Sequence, residues 1–165
     1  MARIQMPEGN TDQPEIVQVW GLRPEMGEAV SNLSYAVYSK SQLPARVREA
    51  ARMRIAQING CTVCQGWRIP ELADQGVDEE LYAHVENTDH PQYSEQERLA
   101  IEYAEKFSVD HRSIDDAFFE RLRASFTDAE ILDLTICIGN WVAFGRLTMI
   151  LDLDEACEVR PRVTA

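Results

Sequence analysis

Residues Ala45 to Cys64 read ARVREAARMRIAQINGCTVC. Val47, Ala51, Ile55 and Ile58 recur at three- and four-residue spacing, the apolar stripe of an amphipathic helix, and Pro44 stands just before it. Asn59-Gly60 then predicts its end, because both residues tolerate the left-handed conformation of a C-terminal cap. Cys61 and Cys64 follow at once, which places a CxxC at the start of the next helix.

The same signals extend outward from this stretch. Upstream, Pro24 suits a first helical position and predicts a helix to about Ser39. Downstream, the ring of Pro70 would clash with the Gly66 carbonyl, so the CxxC helix is expected to kink or to break after about one and a half turns. Gly76 closes that segment, and Asp78 caps a short helix from Glu79 to about Val85. Ser94 to Glu97 is a capping box before a helix with Leu99, Tyr103 and Phe107 on one face. Ser113 to Asp116 starts a helix carrying Phe118 and Leu122. Thr127 to Glu130 is a second capping box, opening an apolar helix to about Leu151. Helix-favouring residues dominate and no stretch alternates apolar with polar, so the fold class is all-α. Residues 1–22 read as an N-terminal arm or subunit-contact extension, 23–153 as one helical domain and 154–165 as a tail.

The balance of 16 basic against 28 acidic residues gives a net charge of -12. That surface repels phosphate backbones and anionic membranes, so neither nucleic acid nor a membrane is an expected partner. The start, MARIQMPEGNTDQPE, lacks the apolar core of a signal peptide. Ile131 to Leu151 is long enough to span a bilayer, but Asp133, Asn140 and Arg146 would be costly in lipid, which predicts a buried central helix or a subunit interface. Four cysteines without a secretion signal fit a reducing compartment, with cytoplasm the expected location.

The chemistry concentrates around the two clustered cysteines. Cys61 and Cys64 are close enough to form a disulfide. A helix N-terminus would favour a thiolate there, and Arg68, four residues after Cys64, would share its face and add positive charge. Cys64 is therefore the candidate nucleophile and Cys61 the resolving thiol. Glu49, twelve residues before Cys61, would raise a thiol pKa by charge alone; it helps only as a proton acceptor, directly or through water, and otherwise reads as a surface partner of Arg52 or Arg46. Zinc at the CxxC lacks a second ligand pair: Cys137 lies in the apolar helix, Cys157 is twenty residues on, and His84, His90 and His111 show no ligand spacing. Cys137 reads as core packing. Arg146 reads as a buried or interface pair, or a lining residue of the site. Trp67 and Trp141 read as core or interface anchors. No flavin, haem or metal signature appears, so no cofactor is expected.

Leu43 to Glu49, Arg54 to Cys64, and Phe126 to Ile131 leading to Gly145-Arg146-Leu147 together resemble the carboxymuconolactone decarboxylase and AhpD-like alkylhydroperoxidase family, over about Leu22 to Leu153. The resemblance implies an all-α domain assembling as trimers or hexamers. It implies attack on peroxide by Cys64, resolution by Cys61, and a proton-handling role for Glu49. Peroxidatic members usually carry a histidine where this chain has Arg68, and some carry one where it has Val63, so their relay from glutamate through histidine to thiol is absent or rebuilt. The implied activity is reduction of a hydroperoxide or disulfide substrate, with an external dithiol regenerating the pair. The alternatives are a lyase acting on a small lactone acid, or a non-catalytic redox sensor.

Overall fold

Caps and breakers divide the described residues into eight α-helices. They are α1 (Glu15–Gln18), α2 (Pro24–Ser39), α3 (Ala45–Asn59), α4 (Thr62–Gly66), α5 (Glu79–Ala83), α6 (Glu95–Val109), α7 (Asp116–Ser125) and α8 (Asp128–Leu151). Short 3-10 turns at Val19–Leu22, Pro70–Gln75 and His111–Ser113 join them. The computed structural model describes residues 2–9 and 13–153, and no strand occurs among these described residues. The C-terminal tail, with Cys157, lies outside them.

The expected boundaries form for the expected reasons. Ser94 with Glu97, and Thr127 with Glu130, close complete capping boxes at the starts of α6 and α8. Gly60 takes φ 66° at the end of α3. Its N–H bonds the Gln57 carbonyl and that of Cys61 bonds Ala56, which is the Schellman arrangement. The last turn of α3 thus fixes the backbone of the first cysteine. α4 stops at Gly66, before Pro70 is reached.

α3 occupies the centre although it carries four arginines and a glutamate. Val47, Ala51 and Ile55 pack with Leu99, Tyr103, Leu122, Leu134 and Ile138 from α6, α7 and α8. A second stripe, Ala50, Met53 and Ala56, packs on its other side with Leu72, Leu81, Tyr82, Val85 and Ile101. Between the two stripes lies a buried polar ridge of Arg48, Glu49 and Arg52.

α8 is long and apolar enough to cross a membrane, but here it is a bundle helix. Ile131, Leu134, Cys137, Ile138 and Trp141 face the core, while Leu132, Ile136 and Ile150 face outward. The start of the chain reaches its far end, where the Arg3 N–H bonds the Leu151 carbonyl and its guanidinium bonds that of Ile150. Cys137 is fully buried, as expected of a core residue. Burial, reinforced by the neighbouring Asp133 carboxylate, pushes its thiol up to about 12.

Two tests address this arrangement. Gly60→Ala is expected to destabilise the protein by about 1 kcal/mol, because alanine resists the positive φ. Gly139→Ala, in a helix with open space at its Cβ, is expected to be neutral or stabilising by up to about 1 kcal/mol. Denaturant melts of both variants check the contrast. Cys137, held protonated far above neutrality, should resist alkylation near pH 8 in the native protein and react once the protein is unfolded. Mass spectrometry after peptide mapping reads this directly.

Candidate functional site

The two cysteines form a disulfide with their Cα atoms 5.3 Å apart. Cys61 is the N-cap of α4, and its sulfur accepts the Cys64 N–H at 3.2 Å. It is fully buried, whereas Cys64 is half-buried and reaches the wall of a cavity of about 200 Å³. The two cysteines therefore differ in access, Cys64 bordering the cavity and Cys61 enclosed.

Glu49 is not a surface residue. It is 0 % exposed and does pair with Arg52, at 2.7 Å between Oε2 and Nε, but inside the protein. Tyr82 from α5 donates its hydroxyl to the same oxygen at 3.0 Å. The other oxygen, Oε1, has no hydrogen-bond partner; the Arg48 Nε stands 3.9 Å from it. Burial and the Glu49 charge push the Tyr82 phenol up to about 12, so it remains a donor at neutral pH.

Arg52, read from the sequence only as a surface partner, is the residue that connects these groups. Its Nη1 bonds the Cys64 carbonyl at 2.7 Å and its Nη2 the Trp67 carbonyl at 3.2 Å. Burial works against its charge, but the adjacent Glu49 carboxylate raises its pKa all the same. Glu49 is thus linked to Cys64 through Arg52 rather than by direct contact with a sulfur. Seven residues separate Arg52 from the α3 terminus, and no periodicity reveals that a charged residue there points inward.

Arg68 is placed differently from the expectation. Because α4 ends at Gly66 and Trp67 is extended, Arg68 does not share a helical face with Cys64. Its guanidinium is paired with Glu79 of α5 at 2.6 and 2.8 Å. It also bonds the Gln65 carbonyl and stacks over Tyr82, 4.3 Å from the ring centroid. That pairing holds the Glu79 carboxyl below the ordinary carboxylate range. Arg146 has no acidic partner among the described residues and does not line the cavity: it bonds the Asn59 side chain at 3.2 Å and the Ser108 carbonyl at 2.7 Å. Asn59 in turn donates to the Trp141 carbonyl, so Arg146 steadies the end of α3 from which the cysteines depart.

The cavity beside Cys64 is lined by Tyr38, Ile55, Trp67, Trp141 and Phe144, with Arg52 and Asn140 among its polar members. Trp67, expected as an anchor, is 52 % exposed and stands at the edge of this cavity. Trp141 is buried there and donates its indole N–H to the Tyr38 hydroxyl at 3.1 Å. Asn140 was not visible as a site residue in the sequence. Its Oδ1 is buried without a hydrogen-bond partner, an uncommon state for such an atom.

Comparison with known proteins agrees with this architecture. Residues 24–106 match the model of the carboxymuconolactone decarboxylase family. The uncharacterized protein YnjA of Escherichia coli is 32 % identical over 139 residues, 83 % of this chain and 76 % of that protein. A crystal structure from Agrobacterium tumefaciens, of a protein of unknown function assigned provisionally to antioxidant defence as AhpD, superposes with a TM-score of 0.67 at 27 % identity, covering 81 % of this chain and 92 % of that one. An uncharacterized peroxidase-related protein from Silicibacter sp. TM1040 has the same fold, with a TM-score of 0.74 at 20 % identity, over 92 % of this chain and 90 % of that one. The chain belongs to the carboxymuconolactone decarboxylase family.

Proposed function

We propose that the protein is a thiol-dependent peroxidase or disulfide oxidoreductase of the AhpD-like type, working through a Cys64/Cys61 dithiol–disulfide cycle. The observation that carries this reading is the asymmetry of the pair: Cys64 opens onto an apolar cavity while Cys61 waits behind it, fully buried. Relatives described as peroxidase-related and as antioxidant-defence proteins share the fold, which supports the same class of chemistry.

The Cys64 thiolate attacks the distal oxygen of a hydroperoxide, the O–O bond breaks, and the alkoxide takes a proton and leaves as alcohol. Cys64 is then a sulfenic acid, and the Cys61 thiol displaces its oxygen as water, forming the disulfide. An external dithiol reduces that disulfide by exchange and leaves as its own disulfide. A disulfide substrate would enter at the first step in place of peroxide: the Cys64 thiolate attacks one of its sulfurs and releases the other as a thiol, and Cys61 then resolves the mixed disulfide, releasing the second thiol.

Arg52 supplies the fixed positive charge that favours the Cys64 thiolate, the role first assigned to Arg68. Arg68 becomes a positioning residue, because its guanidinium is turned to Glu79 and Tyr82, whereas Arg52, itself paired with Glu49, holds the Cys64 backbone directly. Glu49 accepts the proton released by the dithiol, through its unpartnered Oε1 and intervening water, which replaces the histidine relay. The unpartnered Asn140 oxygen offers an acceptor to the hydroperoxide O–H. The outward apolar side chains of α2 (Met26, Leu33) and α8 (Leu132, Ile136) suit assembly into the homo-oligomer that the family resemblance implies.

The decisive assay is consumption of an organic hydroperoxide with added dithiol. Multiple turnovers, with loss in Cys64→Ser by about 100-fold or more, are the expected result; a single stoichiometric oxidation would make the protein a redox sensor instead. A second measurement follows the Cys64 thiolate absorbance against pH in the reduced protein. Its pKa should lie below the ordinary ~8.5. Arg52→Met, checked for folding by circular dichroism, should raise it by about one unit or more, and Arg68→Ala should move it less. The reverse order would return the charge role to Arg68.

A further inference from the structure

Two of the three histidines follow α5: His84 caps its C-terminal end and His90 lies beyond it, before α6. Read along the chain, His84 and His90 have no ligand spacing, but the fold brings them together. Three turn hydrogen bonds do this: Asn87 N–H to the His84 carbonyl at 2.8 Å, His90 N–H to Asn87 at 3.1 Å, and Tyr93 N–H to His90 at 3.2 Å. They wind the segment between α5 and α6 back on itself until the two imidazoles stack, 4.1 Å between centroids and 16° between planes. Tyr93 supports the stack edge-on to His90, and is itself anchored through its hydroxyl to the Leu81 carbonyl at 2.8 Å.

Glu80 lies four residues before His84 and so on the same side of α5. Its Oε1 is 3.7 Å from the His84 Nε2. One ligand atom from each of Glu80, His84 and His90 lies within 4.8 Å of the others. The His90 Nδ1 is buried and has no hydrogen-bond partner, so one ring nitrogen has no bond competing for it.

Two imidazole nitrogens and one carboxylate are the donors of a zinc-class transition metal. Calcium and magnesium prefer all-oxygen shells. Donors at about 2.1 Å from a tetrahedral zinc stand about 3.4 Å apart, so the cluster must close by roughly 1 Å. The stacked rings hold their in-plane lone pairs in nearly parallel planes, so sharing one ion also requires His84 to turn out of the stack. Glu80 is exposed and His84 only half-buried, which leaves both side chains room to rotate.

We propose that Glu80, His84 and His90 form a binding site for a divalent transition-metal ion of the zinc class, with water completing the shell. The site is separate from the dithiol, and its existence does not rest on the reaction assigned there. A bound ion would tie α5 to the turn ahead of α6. The same helix carries Glu79, paired with Arg68, and Tyr82, bonded to Glu49, so the ion would brace both contacts.

The test uses tag-free, full-length protein with the Cys61–Cys64 disulfide formed, titrated calorimetrically with zinc ion alone and read spectroscopically with cobalt. One saturable ion per chain is expected. His84→Ala and His90→Ala should each weaken binding by about tenfold or more, the scale that loss of even an outer partner carries. Glu80→Gln, exposed and nearly isosteric, should weaken it too, and this variant does not depend on how well the histidine variants fold. Bound cobalt should show ligand-field bands only. Absence of saturable binding, binding that survives all three substitutions, or a thiolate-to-cobalt charge-transfer band placing the ion on cysteine would each overturn the assignment.

Discussion

The buried ion pair between Glu49 and Arg52 is the constraint around which the site is organised. A carboxylate and a guanidinium removed from water cost several kcal/mol each unless their remaining donors and acceptors are satisfied. Arg52 spreads its fork over three acceptors, the Glu49 carboxylate and the carbonyls of Cys64 and Trp67. Glu49 takes a further bond from Tyr82. One charged pair thereby joins α3, α4 with the residue that follows it, and α5. Lysine could not substitute, since an ammonium lacks the planar spread of donors.

That pair also explains why the most polar helix of the domain lies at its centre. α3 presents one apolar stripe to α6, α7 and α8 and a second to the 3-10 segment, α5 and α6. The ridge between the stripes is where charged side chains can sit in the interior and meet partners on several sides. The candidate site is thus built on a helix packed from both flanks, and the two cysteines follow its capped end by one and four residues. Placement on a rigid, doubly packed element suits a site that must hold reacting atoms to fractions of an ångström.

Much of the fold was legible in the sequence because its signals are local. The two capping boxes, the Gly60 cap and the Asp78 cap each depend on neighbours within a few residues, and each formed. The cysteine pair was legible for the same reason, whereas Glu49 was singled out chiefly by the family resemblance. What stayed hidden depends on tertiary contacts. Ala50, Met53 and Ala56 are too small or too evenly mixed with arginines to announce a second buried stripe. The inward turn of Arg52 is decided by carbonyls that arrive from α4. Arg68 was misplaced because helical spacing was extended past Gly66, where the helix has already ended. Asn140 sits inside an apolar run and differs from its neighbours only in what faces it. His84 and His90 meet through a turn whose winding no spacing rule encodes.

The backbone anchors around α4 bear on the entropy of disulfide closure. Cys61 is tied through its amide to the end of α3, and Cys64 through its carbonyl to Arg52. Neither anchor involves a sulfur, so neither is broken when the disulfide is reduced. The loop-closure entropy that two free thiols would otherwise lose on meeting has largely been removed by folding. Each sulfur therefore meets the other at a high effective concentration. Closure is favoured over reaction with thiols from solution because the chain has already brought the two ends together.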